Sequence, residues 1–184
     1  MSNYYEADQL NNMGFEHLGK NVKISSTVIL DEPGEIRIGD NCRIDDYCVL
    51  TGGIELGNNV HIGPFCFLSG TEGIELKNYS GISARVSIYS SSDDYQSGKM
   101  SNPTVPSEYK SSIKGKVRLS EHCIIGSGSV ILPKCTIGFG TSVGALSLVN
   151  RSLNKSKVYA GIPVKEVGNR NTEILKDYQN RYEN

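Results

Sequence analysis

The stretch Tyr89-Ser90-Ser91-Ser92-Asp93-Asp94-Tyr95 sets two adjacent carboxylates among hydroxyl and aromatic side chains. A carboxylate held in a loop can orient an ammonium or accept a hydrogen bond from an amine. Toward an alcohol at neutral pH it is a poor base, although a neighbouring carboxylate can raise the pKa of one of the pair. Histidine is the usual base for that work. The chain has three, His17, His61 and His122, and none lies in this stretch. Asp93 and, second to it, Asp94 could therefore serve an amine rather than an alcohol. Against this stands ordinary turn chemistry, in which Asp side chains bond nearby backbone.

These residues are positioned by a repeat. Aliphatic residues recur every six positions as Leu18, Ile24 and Leu30, then Ile38, Ile44 and Leu50, then Leu56, Ile62 and Leu68, then Leu76, Ile82 and Ile88. After a break the series returns as Leu119, Ile125, Ile131, Ile137, Val143 and Val149. A period of six fits neither one helix nor one strand. It fits a chain that turns a corner after each short strand, with three strands per coil and each coil burying the next. Four positions after each aliphatic residue comes a smaller inward one, and all five cysteines (Cys42, Cys48, Cys66, Cys123 and Cys135) fall in that column. They read as small core filler, and Ser92 falls in the same column. Gly39, Gly57, Gly63, Gly126, Gly138 and Gly144 follow inward aliphatic residues, where glycine's access to unusual backbone conformations suits a corner. The near copies Gly53-Ile54-Glu55-Leu56-Gly57 and Gly73-Ile74-Glu75-Leu76-Lys77 stand 20 apart rather than 18, which implies a two-residue bulge.

The expected architecture is an all-β solenoid of about six coils. A helical cap over 1–17 precedes a β-helix over 18–169 with an excursion loop over 89–116. A C-terminal helix over 170–184 carries Ile174, Leu175, Tyr178 and Tyr182 at helical spacing. Composition narrows the function classes. Nineteen Lys and Arg against 20 Asp and Glu give a net charge of -1, without the basic excess of a nucleic-acid binder. No apolar run is long enough for a membrane helix. The first residues lack a signal peptide's pattern, so a cytoplasmic protein is expected. The cysteine spacing suggests neither a disulfide framework nor a metal site.

The hexads, the segment Ile125-Gly126-Ser127-Gly128-Ser129-Val130-Ile131-Leu132-Pro133, the closing Val158-Tyr159-Ala160-Gly161-Ile162-Pro163-Val164-Lys165 and the interruption between Ile88 and Lys116 resemble the hexapeptide-repeat acyltransferases. The resemblance implies a left-handed parallel β-helix, an exception to the right-handed crossover rule. It also implies a homotrimer, with acetyl-CoA or another acyl-CoA lying between two subunits and a sugar or sugar nucleotide as acceptor. O-acetyltransferases of this type carry a catalytic His in the loop. Here the matching place holds Asp93-Asp94, which favours the N-acyltransferases that modify nucleotide-linked 4-amino sugars for surface polysaccharide.

By the same resemblance, CoA follows the later coils at Gly126, Ser127, Gly144 and Ala145, with Arg151, Gly161 and Lys165 toward its phosphates and adenine, and no metal is needed. Lys155 and Lys157 are weaker phosphate candidates. Ser83, at the corner after inward Ile82, either turns its hydroxyl to the cleft or bonds backbone, and Tyr95 in the loop is the other substrate-facing candidate. His61 precedes Ile62 and points outward, either as a base or sugar ligand in the cleft or as a plain surface residue. Two other readings stay open: a galactoside-type sugar O-acetyltransferase using His61 or His122, and a trimeric β-helix that binds or scaffolds without catalysis.

Overall fold

The computed structural model describes residues 4–182. It is a left-handed parallel β-helix with a five-residue helix, α1 (Ala7–Asn11), at one end and a longer one, α2 (Glu173–Tyr182), at the other. Each hexad gives one short strand whose aliphatic residue points into the prism. On the first face the inward residues stack as Leu18, Ile38, Leu56, Leu76, Leu119 and Ile137. The second face stacks Ile24, Ile44, Ile62, Ile82, Ile125, Val143 and Tyr159. The third stacks Leu30, Leu50, Leu68, Ile88, Ile131 and Val149. The second face thus has one rung more than the expected six coils, with Tyr159 in a core position usually given to Ile or Val, and the first face gains one as well, where buried Leu153 bridges Ile137. The last rung then turns back, and Lys157–Ala160 pairs antiparallel with Lys165–Asn169.

Nearly all of these aliphatic side chains are buried, each contributing roughly 1.5–3 kcal/mol. Four more core residues, Ile36, Ile54, Ile74 and Val117, lie two positions ahead of the first-face column. They belong to the longer first-face segments. The bulge expected there is a register shift between Gly52 and Ile54, where strands Val49–Leu56 and Phe67–Leu76 run around a corner. The five cysteines are buried and free. Burial pushes the Cys123 thiol up to about 12 and the Cys135 thiol up to about 11, which withholds the thiolate that reactivity needs.

The glycine column has a different cause from the one expected. Gly39 and Gly126 have ordinary φ, but a Cβ on either would sit 2.7 Å from the backbone of Gly57 or Gly144 in the next coil. They are glycine because coils touch there. The left-handed backbone falls instead just before the small inward column, at Asn21, Asn41 and Asn59 on one corner and at Tyr47, Phe65 and Arg85 on the next. Asn tolerates that region well, whereas bulky residues do so at a cost.

The chain leaves the solenoid after Ile88, and the ladder closes over the gap, Ile131 pairing directly with Ile88. Ser92 is therefore not core. It lies in a small antiparallel hairpin, Ser91–Asp93 against Ser112–Lys114, opposite Ile113. Of the serines in this stretch the fully buried one is Ser90, whose hydroxyl donates to the Ser69 carbonyl at 2.9 Å and accepts from the Glu72 N–H at 2.8 Å, anchoring the hairpin's base. In α2, Ile174 is largely exposed and the Tyr178 ring meets Tyr79 edge-on. The Tyr182 side chain lies outside the described residues.

Candidate active site

Two cavities hold the candidate substrate-facing residues. The first is a groove of about 480 Å³ on the second face, lined by His61, Gly81, Ser83, Ala84 and Ile124 among others. In strand His61–Ile62 the period of two buries Ile62 and turns His61 outward, half exposed. One coil earlier Asp45 follows inward Ile44, and its side chain is only 10% exposed. Its carboxylate accepts from Arg43 Nε at 2.6 Å and from His61 Nε2 at 2.8 Å. An ionised carboxylate only accepts, so Nε2 carries a proton and Nδ1 is the ring's outward atom. Position along the chain does not single out Asp45. Its signal lies across coils: Arg43 and His61 stand 18 apart, in one column, beside an acid.

Ser83 occupies the equivalent position two coils beyond Asp45. Its N–H donates to the Ile125 carbonyl at 2.9 Å. Its hydroxyl bonds none of the described residues. His122 lies elsewhere, buried with its ring stacked on Tyr79 and edge-on to Phe139, and His17 is exposed on the first face.

The second cavity, about 860 Å³, lies beneath the excursion between the hairpin and the third face, and Asp93 and Tyr95 line it with Tyr89, Leu132 and Asn150. Asp93 ends the strand Ser91–Asp93, and its carboxylate makes no bond to any described residue. Asp94 differs. Its carboxylate accepts from the Gln96 N–H at 3.0 Å and from the Ser111 hydroxyl at 3.4 Å, the turn chemistry that competes with a catalytic role. The adjacent pair is thus split into one free carboxylate and one that shapes the loop.

On the later coils the N–H groups of Gly126 and Gly144 are already spent on Val143 and Tyr159 carbonyls, at 2.7 and 2.8 Å. The small size of these glycines lets the coils touch: a Cβ on Gly126 would collide with the Ala145 nitrogen and one on Gly144 would sit 3.1 Å from the Ala160 Cβ. Their neighbours Ser127 and Ala145 are exposed, with N–H groups that bond none of the described residues. Both donors remain available to an acceptor outside the described residues. Arg151 donates to the Val164 carbonyl at 3.3 Å and is exposed. Gly161 and Lys165 are exposed on either side of the closing turn. Lys157 is committed to Glu166 and Asn169, at 2.7 and 2.8 Å.

Residues 35–70 match the family model for bacterial transferase hexapeptide repeats. Across 176 residues, 94% of this chain and 92% of the relative, the sequence is 40% identical to dTDP-4-amino-4,6-dideoxy-D-glucose acyltransferase of Escherichia coli. The chain belongs to the hexapeptide-repeat transferases. A solved member of these transferases, the D94N variant of AntD, an N-acyltransferase from Bacillus cereus, superposes with a TM-score of 0.95 at 37% identity, over 98% of each chain, in a complex with dTDP and coenzyme A. A variant of AntD bound to dTDP-4-amino-4,6-dideoxyglucose and coenzyme A superposes at 0.96, at 38% identity, over 100% of this transferase and 98% of that chain. The AntD variants include changes at an aspartate and at a serine ten positions before it. A maltose O-acetyltransferase from Clostridium difficile, 18% identical with a TM-score of 0.62 over 89% of this transferase and 74% of that chain, shares the fold.

Proposed function

We propose that this transferase moves an acetyl or other short acyl group from acyl-CoA to the 4-amino group of a dTDP-linked 4-amino-4,6-dideoxy sugar, for surface polysaccharide synthesis. The observation that carries this reading is the free carboxylate of Asp93, in a cavity that holds no histidine. It is supported by the 40% identical relative and by AntD's nucleotide-sugar and CoA ligands. Ser83 and Asp93 also stand ten apart, the spacing of the serine and aspartate varied in AntD.

In the proposed reaction the neutral amine attacks the thioester carbonyl directly. Asp93 accepts a hydrogen bond from the amine and turns its lone pair toward the carbonyl carbon. The Ser83 hydroxyl donates to the developing oxyanion, a contribution of roughly a hundred- to a thousandfold where such a donor is preorganised. The C–N bond forms, the nitrogen loses a proton, the C–S bond breaks, and the thiolate takes up a proton. CoA runs along the free N–H groups of Ser127 and Ala145, with Arg151 and Lys165 toward its phosphates. The protein works as a homotrimer in which Ser83 of one subunit meets Asp93 of the next. Two metabolite substrates and five reduced thiols fit the cytoplasm.

The test is incubation with acetyl-CoA and dTDP-4-amino-4,6-dideoxyglucose, followed by mass and NMR analysis of the product. An acetyl group on N4 supports the reading; unchanged acceptor contradicts it. One observation favours a second reading, sugar O-acetylation: the Asp45–His61 pair is the kind of base a hydroxyl acceptor requires. Turnover of a galactoside, with none of the amino sugar, would select it.

A further inference from the structure

We propose that Arg43 and His61, both fixed by the buried Asp45, form the subsite for the diphosphate of the nucleotide-linked acceptor. This rests on the acceptor class given above and assigns the residues that read its nucleotide end. The starting observation is the register of the second face. Lys23, Arg43 and His61 are partners at one outward position of successive coils. Beyond His61 the same column changes to Gly81 and Ile124. One end of the column is therefore basic and the other small and apolar, and His61, which lines the groove with Ser83, stands at the boundary.

Asp45 gives the basic end its geometry. It holds Arg43 through Nε and His61 through Nε2, and the terminal guanidinium nitrogens and the imidazole Nδ1 bond none of the described residues. A guanidinium held this way keeps its planar outer edge for a phosphate, without the entropy loss of ordering a free side chain on binding. The Tyr4 ring, 6.0 Å from the guanidinium, supports its other side. The other carboxylate nearby, Asp46, accepts from the Ser25 and Thr27 hydroxyls. Spacing agrees. Ser83 lies two coils from Arg43, about 10 Å at the usual interstrand distance, and a hexose with a diphosphate on its anomeric carbon spans such a gap. With Asp45 offset by Arg43, excess positive charge comes from Lys23 and from His61 when protonated.

The test is calorimetric titration of the full-length protein with dTDP, together with steady-state kinetics on the amino-sugar nucleotide. Arg43 is half exposed, so Arg43→Gln keeps the fold, which a melting curve verifies. The expected result is at least a tenfold weaker dTDP affinity and a matching rise in acceptor KM, with the acyl-CoA KM unmoved. His61→Gln weakens dTDP severalfold. Wild-type dTDP affinity in Arg43→Gln overturns the subsite. So does a His61→Gln variant that binds dTDP normally but loses kcat at saturating acceptor, since His61 would then be the base. A wild-type enzyme that acylates the amino sugar while Arg43→Gln binds dTDP normally refutes the subsite alone. A wild-type enzyme that neither binds dTDP nor acylates the amino sugar refutes the proposed function as well.

Discussion

Ser83 and Asp93 open onto different cavities of the same chain, and the two cavities share no lining residue. Ser83 sits at the corner that ends a second-face strand, whereas Asp93 projects from the hairpin that leaves the third face. If both serve one reaction, the site requires a second copy. Light scattering is therefore expected to give three times the 20.1 kDa chain mass, and a monomer at working concentration would contradict the composite site.

The two carboxylates of the excursion separate cleanly by mutation. Asp93→Asn removes a group whose only use is outward and lowers kcat/KM roughly a hundredfold or more, the scale of a positioned proton-handling residue. Asp94→Asn keeps an oxygen able to accept from the Gln96 N–H and changes kcat/KM by less than about fivefold. Steady-state kinetics on both variants checks the order.

Glu75 governs the acid limit of stability. Its side chain is 3% exposed, with Lys116 and Arg118 each at 2.8 Å and Lys77 also in contact. Burial alone would raise its pKa, but the hydrogen bonds from Lys116, Lys77 and Arg118 outweigh it and hold it at about 2. A folded-state pKa below the unfolded value contributes stability that is fully present above about pH 4.5 and is lost as pH falls toward 2. Glu75→Gln is expected to cost roughly 2–3 kcal/mol at pH 7 and to flatten the acid limb of a plot of Tm against pH.

Coil contact makes a further prediction at Gly39. An alanine there places Cβ 2.7 Å from the Gly57 carbonyl carbon, and backbone cannot yield as a flexible side chain can. Gly39→Ala is expected to destabilise by about 1–3 kcal/mol. By contrast, the methyl group of an alanine at position 168 would meet nothing within 4 Å, so Gly168→Ala should leave Tm without a measurable shift.

Much of this fold was legible because the hexad places one large aliphatic residue per strand, so Ile24, Ile44 and Ile62 announce a column without any partner being known. The cysteines were legible for the same reason. Ile36, Ile54 and Ile74 escaped because they ride on two-residue extensions outside the period. Ser92 was misplaced by carrying the period past Ile88, into a chain that had already left the coil. At the site, Asp93 and Ser83 could be singled out by residue type, whereas the free state of one carboxylate and the committed state of Asp94 depend on the hairpin's geometry. Asp45 was hidden because its meaning lies across coils, between residues 18 apart, and not along the chain.

Mixing two inactive variants tests the composite site most directly. Ser83→Ala and Asp93→Asn chains, unfolded together and reassembled in equal amounts, should regain about one quarter of wild-type acyl-transfer activity, since random trimers join an intact Ser83 to an intact Asp93 of the neighbour at that frequency. Activity no higher than that of either variant alone, in trimers shown to contain both chains, would contradict it.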